Sequence, residues 1–165
     1  MAGLTLGVIG CGAIGRRVAG LGAALGMRVV VYDAVPDPDY RPAADITTVG
    51  LAALIERADV ISLHCPPGTR PLVDAAFLAQ ARRGAVLINT ARAGLVDHDA
   101  VEQALEAGVL GGFATDVYPS EPPRPTSLLR RDDVICTPHS GGNTTESVTR
   151  ATRQAVENLL TALRR

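Results

Sequence analysis

Lysine is absent from this 165-residue chain: all sixteen basic residues are arginine. We read that bias as the mark of a GC-rich genome rather than of function. Basic and acidic residues nearly cancel, to a formal net charge of −1. That balance gives no electrostatic footprint for nucleic acid or an anionic membrane surface. Apolar runs long enough to cross a bilayer are missing. So is a basic N-terminal region leading into a cleavable apolar stretch. Cysteine is sparse and odd in number, at Cys11, Cys65 and Cys136. Their spacing with histidine suggests no zinc site. Their apolar strand-end contexts suit small buried hydrophobes in a reducing cytoplasm. There are no internal repeats, and the length fits one domain.

Short β-branched runs alternate with Ala/Leu-rich amphipathic stretches throughout. This is the pattern of βαβ units forming a parallel sheet covered on both faces. Strands are expected near Leu4–Ile9, Arg28–Tyr32, Val60–Leu63, Ala85–Asn89, Gly111–Asp116 and Val134–Cys136, with Ile46–Thr48 the weakest candidate. Helices are expected near Ile14–Leu25, Gly50–Arg57, Ala75–Ala81, His98–Ala107 and Thr144–Arg164. Asp74 and Asp97 are placed to cap two of them. Asn143 with Glu146 resembles a capping box on the last. That helix sets Val148, Ala151, Thr152, Ala155, Leu159 and Leu163 on one face, the spacing of a docked helix. The Pro/Arg-rich segments Asp33–Pro42 and Pro119–Pro125 read as loops.

A glycine-rich loop, Gly10-Cys11-Gly12-Ala13-Ile14-Gly15, follows the first strand and opens the first helix. Gly10 permits the sharp turn, Gly12 lets backbone approach a pyrophosphate, and Gly15 lets the helix pack close to the sheet. The free N–H groups of that helix start favour phosphate. The second strand then ends at Asp33, the position of a ribose-binding acid. A carboxylate there accepts from both ribose hydroxyls and repels a 2′-phosphate, favouring NAD over NADP. Asp33 as a turn-capping acid, and an adenosyl cofactor such as S-adenosylmethionine, are the competing readings of this region.

Three later motifs bring chemistry: Asn89-Thr90-Ala91-Arg92-Ala93-Gly94, Asp116-Val117-Tyr118-Pro119-Ser120-Glu121-Pro122 and Thr137-Pro138-His139-Ser140-Gly141-Gly142. Arg92, Asp116 and His139 each follow a candidate strand closely, so a doubly wound sheet would project all three to the edge that carries the glycine loop. Singly, each has an ordinary structural explanation. Together they supply a cation for a carboxylate, an imidazole for a proton and an acid, Glu121, to hold the imidazole.

On these motifs, from Leu4 to about Leu160, the chain resembles the NAD-binding domain of the D-isomer-specific 2-hydroxyacid dehydrogenases. The resemblance implies a Rossmann-type, doubly wound α/β domain that binds NAD and transfers a hydride between nicotinamide and a D-2-hydroxy or 2-oxo acid. It implies Arg92 as carboxylate ligand and carbonyl polariser, His139 as proton relay and Glu121 as its partner. The implied cofactor contacts are Gly10, Gly12, Ala13, Ile14, Gly15, Asp33, Cys65, Thr90, Ala91, Arg92, Asp116, His139, Gly141 and Gly142. Asp116 would meet the nicotinamide carboxamide and Cys65 the adenosine side. No metal is implied, and a homodimer is an expected assembly. The forked guanidinium suits a carboxylate, and a carboxylate beside His139 would fix its tautomer. His64 and His98 match no role.

The chain departs from the family at Ala93, where Gly is usual and a positive φ would be strained, and at Thr115, where an aliphatic residue is usual. Family members also carry roughly a further domain ahead of the glycine loop, forming the other wall of the cleft. The expectation is therefore a single domain lacking the substrate domain, with residues 144–165 a helix returning toward it. A non-catalytic NAD-binding module that regulates a partner is the alternative function. An NADP enzyme of another Rossmann family is a third reading, opposed by Asp33.

Overall fold

The structure, a computed structural model, describes residues 1–164. Seven strands form one sheet: β1 Thr5–Ile9, β2 Arg28–Tyr32, β3 Ile46–Thr48, β4 Val60–Leu63, β5 Ala85–Asn89, β6 Leu110–Thr115 and β7 Val134–Cys136. Their order is β3-β2-β1-β4-β5-β6-β7 and every pairing is parallel. The chain runs outward from β1 to β3, then crosses back to lay β4 on the other side of β1. This doubly wound order opens a crevice beyond the carboxyl ends of β1 and β4, where such sheets bind ligands.

Alternation along the strands decides the two cores. Leu6 and Val8 of β1, with Val29 and Val31 of β2, face Ala19 of α1 (Ala13–Ala24). Ile9 and Val30 face the larger cluster, with Leu54 and Ile55 of α2 (Leu51–Arg57), Phe77 of α3 (Ala75–Leu78) and Val101 of α4 (His98–Glu106). Asp74 and Asp97 cap α3 and α4 as expected, accepting from Phe77 N and from Asp99 and Ala100 N. The weak candidate Ile46–Thr48 is the outer strand β3. Helix α3 stops three residues earlier than its sequence suggests. Gln80 and Ala81 donate to carbonyls three residues back, tightening the chain before the left-handed turn at Gly84 (φ 79°).

Two readings of the C-terminal region need correction. Helix α5 (Thr145–Leu163) is capped by Thr144, whose side chain accepts from Ser147 N. Asn143 instead donates through Nδ2 to the His139 carbonyl. The apolar stripe of α5 is not docked: none of its residues is buried, and Leu159 is 59% exposed. Periodicity marks which face of a helix is apolar, and no described element covers this one. Two of the three cysteines also differ from expectation. Cys11 is buried, Cys65 half-buried and Cys136 exposed, because β7 is an edge strand whose Ile135 and Cys136 lie open.

Candidate active site

Beyond β1, Gly10 turns with φ 96°, and its N–H donates to the Tyr32 carbonyl at 2.8 Å. His64 N, beyond β4, donates to the Ile9 carbonyl at 2.7 Å. A Cβ on Gly10 would come within 2.6 Å of the His64–Cys65 backbone, and one on Gly15 within 1.9 Å of the Gly10 carbonyl oxygen. The loop is thus folded against itself and against β4. Gly12, in contrast, faces open space, and it caps α1 with no side-chain bond to the helix's first N–H groups. Those donors are available to an anion, as a pyrophosphate site requires.

A cleft of about 580 Å³ runs from this loop along Gly10, Asp33, Ala34, Val35 and Cys65. A second, of about 280 Å³, is lined by Ile14, His64, Cys65, Thr90, Ala91 and Arg92. Cys65 and Pro66 line both, so the two join into one trench along the carboxyl edge of the sheet. Burial pushes the Cys65 thiol pKa up and the His64 imidazole pKa down. Ser62 Oγ lies 2.8 Å from His64 Nε2. Asp33 accepts from Cys11 N at 2.6 Å through Oδ2 and from Val35 N at 2.9 Å through Oδ1. Both oxygens keep lone pairs for further donors.

Arg92 stands exposed after β5, its Nη1 donating to the Ala91 carbonyl. Behind it lies Asn89, a residue the sequence reading did not single out. Asn89 is fully buried at the end of β5. Its amide donates to the Arg92 carbonyl at 2.9 Å and accepts from Ala91 N at 3.1 Å. A buried amide satisfied at both ends holds the turn that presents Arg92. A polar residue closing an apolar strand was the available signal. Ala93 enters a short 3-10 turn (Ala93–Leu95) and has no positive φ, so the expected strain there is absent.

His139 is the one non-glycine residue with positive φ, 51°, among those described. Its Nδ1 lies 2.7 Å from Glu121 Oε1. A carboxylate only accepts, so Nδ1 carries the proton in this pair and Nε2 is the nitrogen Glu121 does not engage. Both side chains are close to half exposed. What holds this backbone is Asp116, 6% exposed. It accepts from Thr137 Oγ1 at 2.6 Å, Ser140 N at 2.9 Å and Gly141 N at 3.0 Å. Burial works to raise the Asp116 pKa, but these three hydrogen bonds, with the nearby His139, hold it below the ordinary carboxylate value. Tyr118 adds a second tie, its hydroxyl donating to the Thr137 carbonyl at 2.7 Å. Thr115 Oγ1, the unusual hydroxyl, donates to the Val117 carbonyl at 2.9 Å and braces the same corner.

The expected site residues therefore fall into two groups. Gly10, Asp33 and Cys65 line one cleft, and Ile14, Thr90, Ala91 and Arg92 the other; Gly12, Ala13 and Gly15 form the loop and helix start beside them. Asp116, Glu121, His139 and Gly141 form a bonded cluster beyond β6 and β7, with Gly142 next to it in open space.

A doubly wound sheet with an open glycine loop at its crossover, an acid after β2 and an imidazole–carboxylate pair beyond β6 and β7 defines a Rossmann-type NAD-binding domain. The profile of the family described as "D-isomer specific 2-hydroxyacid dehydrogenase, NAD binding domain" matches residues 1–141. The chain belongs to that family. It is 39% identical to a glycerate dehydrogenase of Methylorubrum extorquens over 96% of its length and 50% of that protein. It is 37% identical to a D-3-phosphoglycerate dehydrogenase of Methanocaldococcus jannaschii over 98% of its length and 32% of that protein. Among solved structures, a glyoxylate reductase from Paecilomyes thermophila superposes with a TM-score of 0.89 at 32% identity, covering 98% of this chain and 49% of that one. A D-lactate dehydrogenase from Aquifex aeolicus, complexed with NAD and lactic acid, gives 0.85 at 34%, covering 98% and 54%. The chain spans half or less of the curated relatives it matches.

Proposed function

We propose that this chain is the NAD-binding, catalytic half of a D-2-hydroxyacid dehydrogenase. The observation that carries the reading is the His139–Glu121 pair at 2.7 Å, made through Nδ1 and set on a left-handed backbone. When bound, the cofactor would supply the hydride as NADH or accept it as NAD⁺. The chain's own residues do the rest. The glycine loop and the start of α1 hold the pyrophosphate, and Asp33 holds the adenosine ribose and disfavours a 2′-phosphate. Cys65 lines the adenosine side, with Thr90 and Ala91 further along the trench. Asp116 retains an acceptor site for the carboxamide beside its bond to Gly141, and Gly142 leaves room for approach. Arg92 takes the substrate carboxylate. His139 donates a proton to the carbonyl oxygen in reduction and recovers it in oxidation, with Glu121 fixing its tautomer.

The substrate class is a small 2-oxo or 2-hydroxy acid. The stripe on α5 suits a helix that returns toward a substrate domain, and a homodimer through this domain is the assembly we favour. A reducing cytoplasm suits the three free thiols.

The test compares NADH oxidation with small 2-oxo acids in wild type, His139→Ala and Arg92→Ala, alongside calorimetric binding of NADH and NADPH. We expect His139→Ala to lower turnover by about 10²–10⁴ with NADH binding intact. Arg92→Ala should act mainly through KM. Asp33→Ala should narrow the NADH/NADPH gap chiefly by weakening NADH. Wild type that binds NADH without turnover on any 2-oxo acid, even with a substrate domain supplied in trans or in frame, would sink the catalytic reading and leave an NAD-binding module. Equal affinities for the two cofactors would sink the role of Asp33.

A further inference from the structure

The outer wall of the larger cleft is Asp33, Ala34 and Val35, the start of an irregular segment, Asp33–Pro42, that leaves β2. Most of that segment is exposed. Besides the packing of Tyr40 against the smaller core cluster, a side chain of α1 ties it down. Arg16, in α1, donates through Nε to the Cys11 carbonyl at 2.7 Å and through Nη2 to Asp37 Oδ2 at 2.6 Å. Its guanidinium carbon lies 4.2 Å from the centre of the Tyr40 ring, a cation–π contact. Cys11 belongs to the glycine loop, whereas Asp37 and Tyr40 belong to the far segment. Cys11 is held from its other side too, because its N–H donates to Asp33 Oδ2 at 2.6 Å. Asp33, Cys11, Arg16 and Asp37 therefore close a ring that joins the phosphate loop to the wall of the adenosine pocket.

We propose that Arg16 is a positioning residue for the adenosine half of the NAD site. It fixes the 33–42 segment against the glycine loop, so that the Asp33 carboxylate and the Ala34–Val35 wall stand in place before the cofactor arrives. The inference rests on the NAD reading above. Three features separate it from a merely structural contact. The Arg16 and Asp37 side chains are 35% and 41% exposed, and ion pairs that open to solvent contribute little to global stability. The tie reaches the cleft through backbone: Arg16 holds the carbonyl of Cys11, whose N–H holds Asp33, so the Cys11 backbone links Arg16 to the cleft wall while its side chain packs in the smaller core cluster. The guanidinium fork serves two acceptors on different elements at once, a geometry that a lysine ammonium does not reproduce. Arg16 is also not a free phosphate receptor, since Asp37 already neutralises it.

The experiment uses the full chain and calorimetry with NADH, NADPH and ADP-ribose, on wild type, Arg16→Met, Arg16→Lys and Asp37→Asn, with thermal melts of each. If loss of the tie leaves the segment competent about a tenth of the time, apparent affinity falls about tenfold. We expect that loss for NADH and ADP-ribose alike in Arg16→Met. Arg16→Lys should recover part of it, and Asp37→Asn should show a smaller loss of the same kind. Melting points should stay within about 3 °C of wild type. Unchanged NADH affinity in Arg16→Met, beside a wild type that binds, overturns this inference alone. A NADH loss well beyond the ADP-ribose loss overturns it as well, by placing the effect away from the adenosine half. So does a larger loss for NADPH than for NADH, which would make Arg16 a phosphate receptor. Wild type that fails to bind NADH removes the NAD reading, and this inference with it.

Discussion

The glycine-loop cleft and the His139–Glu121 cluster are built by different means. In the cleft, the ligand-facing parts are mostly backbone, locked to strand ends that lie in the middle of the sheet. Gly10 is bonded to β2, and the residue after β4 is bonded to β1. On the proposed reading, pyrophosphate recognition there is inherited from the fold. In the cluster, the groups proposed for catalysis are side chains on loops beyond the outer strands β6 and β7, with His139 and Glu121 nearly half exposed. Their geometry depends on one buried carboxylate, Asp116, and on the hydroxyls of Thr115, Tyr118 and Thr137. Binding geometry here belongs to the sheet, whereas catalytic geometry belongs to a few long-range hydrogen bonds. The second kind can be lost without unfolding the first.

The largest effect expected from breaking that contrast is at Gly15. Its added Cβ would fall 1.9 Å from a backbone oxygen, leaving the loop nothing flexible to move. Gly15→Ala should cost about 3 kcal/mol, lower the melting point by several degrees and abolish NADH binding. A variant that still binds NADH would refute the account of a self-packed loop.

Asp116→Ala comes next. It strips the acceptor from three donors, at an expected cost on the order of 2–3 kcal/mol. The damage should be local: amide exchange at Ser140 and Gly141 should speed up while β1 and β4 stay protected. Exchange that rises equally in both regions would show that the two are one cooperative unit.

Acid should do the same reversibly. The Asp116 pKa is depressed in the fold. Its stabilising contribution is therefore complete above the ordinary value of 3.8 and is lost as pH falls through the lower folded value. Protection of Ser140 and Gly141 should fade in that acid range ahead of protection in the sheet, an order that exchange measured against pH can check.

The smallest effect belongs to α5. Leu159→Ala should change the stability of this chain by no more than about 0.5 kcal/mol, against about 3–5 kcal/mol for Phe113→Ala in the core. A large loss at Leu159 would mean that its stripe is covered in solution.

Much of this architecture is local, and local features are legible. The alternation of Val29, Val30 and Val31, the caps at Asp74 and Asp97, and the glycine spacing are each set within a few residues, so strands, helices and the phosphate loop could be read directly. The site residues Arg92, Glu121 and His139 were named on motif resemblance, and the fold brings Glu121 and His139 together. What the sequence left open lies at long range. The bonds from Arg16 to Asp37 and from Asp116 to Ser140 and Gly141 span 21, 24 and 25 residues, and no periodicity announces them. Asn143 and Thr144 are both good caps by type, and only the path of the backbone chose Thr144 and sent Asn143 to the His139 carbonyl. The α5 stripe and Cys136 were read as buried because they are apolar. A pattern determines which face seeks cover, while the placement of every other element determines whether that face receives it.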